Sequence, residues 1–305
     1  MAPNRLLIPP YSFAYYSPTM EIVSDIDQST SDGPVSVGLR TELSIRALAF
    51  AKARGFSYEQ TDGSVPGVLF GEDASGHHGN FHPLAYQRIR SHPQWQKRLH
   101  KAHTAFKRSR VRATWQWKEL DCAHSSDALL MNIFCHPHVM GSARVLTMLG
   151  IESEGTPEFG FKPRVPFHDR RHDSTEIDMK IDLLLVEAKL TESDFQSARF
   201  ELISRYRDLE TVFDLSELPM RDGKYRGYQL IRGTLAAYAT GCSFCVFCDA
   251  RRHDLIEAWY AVMRAVRQSE LRCRLKVLTW QELAGVVSDD LRDFLIVKYG
   301  IHPAV

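Results

Sequence analysis

No run of about 18 apolar residues occurs in the chain, so no segment is expected to cross a bilayer as a helix. The first ten residues hold only three consecutive apolar side chains, Leu6 to Ile8, before two prolines, too few for the apolar stretch of a secretory leader. Cysteine is scarce, six in 305 residues, which excludes a disulfide scaffold and suits a reduced compartment. A cytoplasmic protein is expected. No Gly-x-x-x-x-Gly-Lys-Ser/Thr loop is present to cradle a nucleotide, and no Gly-x-Ser-x-Gly elbow to carry a serine nucleophile. Acidic residues are missing from one long stretch. Between Asp73 and Glu119 there are 45 residues without Asp or Glu, and ten of them are Lys or Arg.

What is there is ordinary globular composition, 44% hydrophobic and 25% charged, in a length near the upper limit of one domain. The net charge of +1 conceals the uneven distribution, because the other 260 residues carry −9. The bases are Arg88, Arg90, Lys97, Arg98, Lys101, Lys107, Arg108, Arg110, Arg112 and Lys118, interleaved with Phe81, Tyr86, Trp95, Phe106, Trp115 and Trp117. A clustered basic stretch is the electrostatic footprint of a phosphate-bearing partner, and nucleic acid is the partner expected. The competing reading is a solvated face whose acidic partners come from elsewhere in the fold.

The chain divides into an N-terminal arm and helix over 1–60, a basic segment with His and Gly over 61–118, and a core over 119–305. The pattern predicts helices over 39–54, part of 94–108, the run after Ser125 or Ser126 up to Pro137, 138–149, 194–208, 225–240, 253–268 and 280–287. Residues 55–83 read as loops. Thr175 to Ile181 alternates as a half-buried strand, Leu183 to Val186 is apolar on both faces, and strands follow at 243–248 and 275–278. Strands alternating with helices after a hairpin imply an α/β fold, a three-layer core with a mixed central sheet.

The chemistry concentrates in Thr175 to Glu192. Glu187 and Lys189 stand two apart on a strand, so both side chains project to one face. Charges on a strand that follows four apolar residues are costly unless they pair or hold something. A divalent cation supplies the reason: two carboxylates hold it, the Ala188 carbonyl can add a ligand, and the lysine can orient or deprotonate a water. On one continuous strand Asp182 would stand roughly 16 Å from Glu187. Asp178 is favoured over it if the chain reverses near Ile181-Asp182, although a tight turn there has neither Gly nor Asn.

An acidic residue, eight intervening residues and then Glu-x-Lys resembles the PD-(D/E)XK nuclease superfamily, the restriction-endonuclease-like fold. Tyr228-Gln229-Leu-Ile-Arg232 resembles its glutamine-bearing helix, Lys118-Glu119 to Phe134 the segment that brings an acidic residue to the site in a bacterial branch, and Leu275 to Leu283 the closing strand and helix. No proline precedes Asp178, so the name motif is incomplete. The resemblance spans about 119–287 and implies Mg²⁺ (or Mn²⁺) and nucleic-acid cleavage, with DNA the expected substrate. Asp178 and Glu187 would bind metal, Lys189 would act on the water, Glu119 would be an outer or second-metal carboxylate, and Gln229 would orient the site. Arg88, Arg90, Lys97, Arg98, Lys101, Lys107, Arg108, Arg110, Arg112 and Arg232 would contact the nucleic acid. The rival is a nucleic-acid-binding module that keeps the fold without the chemistry.

Cys242, Cys245 and Cys248 alternate across a strand and read as core thiols. His77, His78 and His82 read as a flexible polar loop beside nucleic acid.

Overall fold

A computed structural model describes residues 26–27, 34–61, 67–103, 117–152 and 154–304. Lys107, Arg108, Arg110 and Arg112 lie outside the described residues.

A five-stranded sheet forms from β1 (Glu158–Phe161), β2 (Ile177–Ile181), β3 (Leu184–Ala188), β4 (Ser243–Cys248) and β5 (Leu275–Thr279). Its lateral order is β5-β4-β3-β2-β1, with β4 parallel to β3 and β5, and β1 and β2 antiparallel to their neighbours. The sheet is therefore mixed, as the alternating pattern predicts. The main helices are α1 (Pro34–Arg54), α2 (Pro83–Ser91), α3 (Ser126–Phe134), α4 (Tyr228–Thr240), α5 (His253–Arg264) and α6 (Asp289–Tyr299). α4 lies in the connection from β3 to β4 and α5 in that from β4 to β5, since parallel neighbours need a crossover.

Strand alternation divides the apolar residues between two clusters. Leu185, Phe244, Val246 and Cys248 pack with Leu230, Ile231 and Leu235 of α4 and Trp259 and Val262 of α5. Met179, Ile181, Leu184, Val186, Cys245 and Phe247 pack with Leu129 and Ile133 of α3, Leu291 and Leu295 of α6, and Leu39 and Leu43 of α1. Cys245 thus falls on the opposite side from Cys242 and Cys248, all three buried, as a strand requires.

The helix expected in part of 94–108 is present as one α-turn over Pro93–Gln96 and a 3₁₀ turn over Lys97–His100, with 104–108 outside the described residues. A helix that the pattern does not predict, Pro83–Ser91, precedes it, because Pro83 presets the first turn and His82 Nδ1 accepts the Leu84 N–H. Two local expectations are corrected. Residues 194–208 do not form one helix. The Gln196 N–H donates to Asp194 Oδ1 at 2.7 Å, Gln196 takes a left-handed φ of 63°, and Ser197–Arg199 pairs with Lys224–Arg226 as a strand. Residues 55–83 are not all loop, since Tyr58–Gln60 and Val68–Phe70 pair as short antiparallel strands.

The tight reversal expected between β2 and β3 is present. Met179 pairs with Val186 and Ile181 with Leu184, leaving Asp182 and Leu183 to turn. Asp182 supplies the left-handed backbone at φ 49° that Gly or Asn would ordinarily supply. Asp182→Gly is expected to raise stability by up to about 1 kcal/mol and Asp182→Val to lower it by about 1–2 kcal/mol, read from denaturant midpoints. Neither should change metal binding, because the turn lies at the far end of the hairpin from Asp178.

Candidate active site

The hairpin register, continued by one residue beyond Met179–Val186, sets Asp178 opposite Glu187. Asp178 Oδ2 accepts the Ala188 N–H at 2.7 Å, which fixes the carboxylate across the strand pair. Lys189 extends the line of β3, held by its own N–H to the Phe247 carbonyl and its carbonyl to the Trp280 indole. Its Nζ lies 2.7 Å from Glu187 Oε1, and the two residues are only 5% and 2% exposed. The sequence expectation that Asp178, Glu187 and Lys189 share one face matches this geometry.

The electrostatics follow from crowding. Burial pushes the Asp178 carboxyl well above the usual carboxylate range, and the neighbouring Glu187 and Asp127 push it further. Burial works against the Lys189 charge, yet Glu187, Glu192 and Asp178 hold its affinity for the proton above that of a free lysine. A cation among these oxygens would relieve the repulsion.

Asp127 escaped the sequence reading. It lies in the first turn of α3, whose cap is Ser125, and is buried. Lys101 Nζ approaches its Oδ2 at 2.7 Å and Arg98 Nη2 at 3.0 Å. Burial opposes its ionisation, but Lys101 and Arg98 outweigh that and keep the carboxyl below its ordinary range. Glu119, the upstream acid chosen from the sequence, stands in the one-turn helix Glu119–Asp121, and its charge bears on the buried Cys122 thiol. Asp127 is the acid of this segment whose charge bears on Asp178. The available signal was its position after Ser125-Ser126, which marks a helix start but not what that start faces.

Next to Lys189, Glu192 Oε2 accepts the Leu190 N–H at 2.6 Å and Oε1 accepts the Ser126 hydroxyl at 2.6 Å. These bonds tie the end of β3 to α3. From α4, Arg232 enters the cluster: it is 5% exposed, donates from Nη2 to the Glu176 carbonyl at 3.1 Å, and its charge is supported by Glu187. It is thus an interior group beside the carboxylates. Gln229, at the start of α4, donates its backbone N–H to the Phe195 carbonyl at 3.0 Å, and the Phe195 ring lies 5.6 Å from Lys189 Nζ. Two buried guanidinium nitrogens, Nε of Arg98 and Nε of Arg232, have no hydrogen-bond partner among the described residues.

The remaining described bases differ among themselves. Arg98 bridges Asp127 and Glu176, and Lys101 pairs with Asp127. Arg90 meets the Glu72 carboxylate at 3.3 Å on the surface. Arg88, over the Trp95 ring at 5.6 Å, and the exposed Lys97 have no ion-pair partner among the described residues. Acids from elsewhere in the fold thus meet part of the stretch and not all of it.

A second group, His82, His136 and Asp290, has its donor atoms within 4.8 Å of one another. His82 Nδ1 accepts the Leu84 N–H, so the neutral ring carries its proton on Nε2, which points at Asp290. His136 Nε2 lies 3.2 Å from the same carboxylate while its Nδ1 is buried without a partner. One N–H therefore hydrogen-bonds the carboxylate and a second faces it at 3.9 Å, and neither ring offers the outer hydrogen bond that normally orients a metal-bound imidazole. The group reads as a clasp of two neutral imidazoles on one carboxylate between α2, the segment after α3, and α6. His78 and His82 are buried and hydrogen-bonded, which corrects the reading of a flexible histidine loop.

No helix among the described residues is long and apolar enough to cross a membrane. Neither the curated proteins nor the solved structures include a match to this chain. A family model described as restriction endonuclease associating with ARP matches residues 48–300, a span that takes in the hairpin, both flanking helices and the basic segment. The chain therefore belongs to that restriction endonuclease family.

Proposed function

We propose that the chain is a metal-dependent endonuclease that hydrolyses phosphodiester bonds in DNA, built on a restriction-endonuclease-like three-layer core. The observation that carries this reading is Asp178 beside Glu187 across one hairpin, with Lys189 2.7 Å from Glu187. Helices packed on both faces of the sheet support the three-layer description.

The nearest donors are carboxylate oxygens, the preference of a hard cation, so Asp178 and Glu187 would hold Mg²⁺ or Mn²⁺. When bound, that ion neutralises the phosphate and lowers the pKa of an attacking water. The chain's own residues do the rest. The Ala188 N–H aims Asp178, Glu187 holds the Lys189 ammonium, and that ammonium donates the hydrogen bond that orients the water. Asp127 takes the place on the site's rim that the sequence reading gave to Glu119. The unpartnered Nε groups of Arg98 and Arg232 are donors suited to the non-bridging oxygens of the scissile phosphate. Gln229 would orient the site from the start of α4, where its backbone N–H holds the Phe195 carbonyl.

Two measurements test the reading. Purified protein should nick plasmid DNA with Mg²⁺ or Mn²⁺ and not in EDTA. Calorimetric titration with Mn²⁺ should show binding that Asp178→Ala and Glu187→Ala abolish and Asp182→Ala leaves intact. Binding of DNA with no nicking under any divalent ion would favour the silent binding module instead.

The basic segment carries its own expectation. Arg88→Glu with Lys97→Glu should weaken DNA binding for all sequences alike and flatten the log–log salt slope by about 0.9 for each lost phosphate contact. Arg98→Ala should slow cleavage and also lower the melting temperature, because it strips Asp127 and Glu176 of their shared partner. Equal salt slopes for the double variant and the wild type would remove these two cations from the DNA interface.

A further inference from the structure

A cavity of about 360 Å³ opens beside α2, remote in sequence from the carboxylates and unused by the chemistry above. Its size is at the lower end of small-ligand sites, which run about 300–1,000 Å³. Its walls are Phe56, Phe81, Leu84 and Tyr86, and its polar groups include Gln87 and Arg90. Phe81 and Tyr86 stack on each other at 5.3 Å with their planes 23° apart, which holds both rings rigid in the wall. Tyr86 is locked further by its hydroxyl, which donates to Glu72 at 2.5 Å. The opposite lip is a tight loop in which Asp73 Oδ1 accepts the N–H groups of Ser75 and His77, each at 2.9 Å. The walls are therefore preformed.

Two features say what the cavity is suited to hold. Leu84 stays 38% exposed at the cavity wall, an apolar surface that an occupant would cover. Gln87 is exposed and makes no hydrogen bond to another described residue, so its amide offers a donor and an acceptor side by side. An aromatic wall with an amide and a guanidinium at the edge matches a planar heterocycle with hydrogen-bonding edges. A lipid tail would leave the Gln87 amide unpaired. The cavity also lies on the acid-free stretch. The next residue, Arg88, is one of the cations without an ion-pair partner among the described residues, and the same run of chain continues to Arg98 and Lys101 on Asp127 beside Asp178.

We infer that this cavity receives a single unstacked nucleobase of the DNA that the carboxylate site cleaves, with adenine the best fit to the Gln87 amide. The inference rests on the nuclease reading above. Base capture selects DNA that is single-stranded, mismatched or easily opened, since extruding a base is cheapest there. The cavity then supplies a preference that the phosphate contacts cannot.

The test uses the full chain with oligonucleotides carrying 2-aminopurine at one position, single-stranded or opposite a mismatch, with Ca²⁺ replacing Mg²⁺. Binding is followed by anisotropy of a distant dye, and base environment by 2-aminopurine fluorescence. The wild type should bind and change the 2-aminopurine signal at a defined position. Leu84→Trp, which fills the cavity from an already exposed side chain, should abolish that signal and weaken binding about ten-fold, the scale of one lost base stack. Gln87→Leu should keep the stack and lose the preference for adenine over the other bases. Melting curves of both variants should superimpose on the wild type. Unchanged 2-aminopurine fluorescence alongside intact DNA binding and Mg²⁺-dependent cleavage overturns the cavity assignment alone. Absence of any DNA binding overturns the nuclease reading and this inference together.

Discussion

Asp178→Asn should melt at a higher temperature than the wild type in EDTA and cleave DNA about 10³-fold more slowly or worse with Mg²⁺. Both halves come from the same crowding. The Asp178 carboxyl is desolvated and faces Glu187 and Asp127, so without a cation its charge is opposed from two sides. Asparagine keeps an oxygen to accept the Ala188 N–H and removes the charge. Relief of about 1 kcal/mol would raise the melting temperature by roughly 1.5–2 °C in a chain of this size. Saturating Mn²⁺ should then reverse the order. A ligand at 100 times its dissociation constant stabilises by about 2.7 kcal/mol, which the wild type would gain and Asp178→Asn would not. A variant less stable than the wild type in EDTA would mean that Asp178 is a structural anchor and not a strained ligand.

Lys189→Met should lower the cleavage rate by about 10² to 10⁴-fold while Mn²⁺ binding persists, because the lysine acts on the nucleophile and not on the ion. It should also destabilise the protein. Lys189 and Glu187 form a buried pair at 2.7 Å, and removal of one partner from such a pair costs about 3–5 kcal/mol. Lost activity by itself would therefore not separate chemistry from folding. Glu187→Gln combined with Lys189→Met provides the separation, since it removes both charges and should recover most of the stability with no recovery of cleavage. If the single variant cleaves within about ten-fold of the wild type once corrected for its folded fraction, the lysine is a salt-bridge partner and nothing more.

Much of this site could be read along the chain because strand geometry is local. Period-two alternation from Ile177 to Ile181 and a doubly apolar run after it define a hairpin. Pairing Asp178 with Glu187 then follows from a reversal at Asp182. The same locality led the reading astray at 194–208, where an amphipathic run is consistent with a helix. A left-handed Gln196 and a strand partner near residue 225 overrule it. The C-terminal helix Asp289–Tyr299 escaped notice although Leu291 and Leu295 fill the cluster beneath the sheet. Asp127 reads only as a first-turn residue favoured by the helix dipole, because position relative to a helix start does not report which way that start faces.

The sequence by itself determined the hairpin, the order of the alternating strands and helices, and the line of Asp178, Glu187 and Lys189, since these depend on periodicity and on neighbours a few residues apart. Only the tertiary structure decided that Asp127 and Arg232 join them, that Arg98 and Lys101 face inward to an acid, and that Arg88 and Lys97 remain without ion-pair partners among the described residues. The reason is physical. A charge is the same letter in a sequence whether water or a carboxylate surrounds it, and which one does depends on contacts between segments the chain brings together only when it folds.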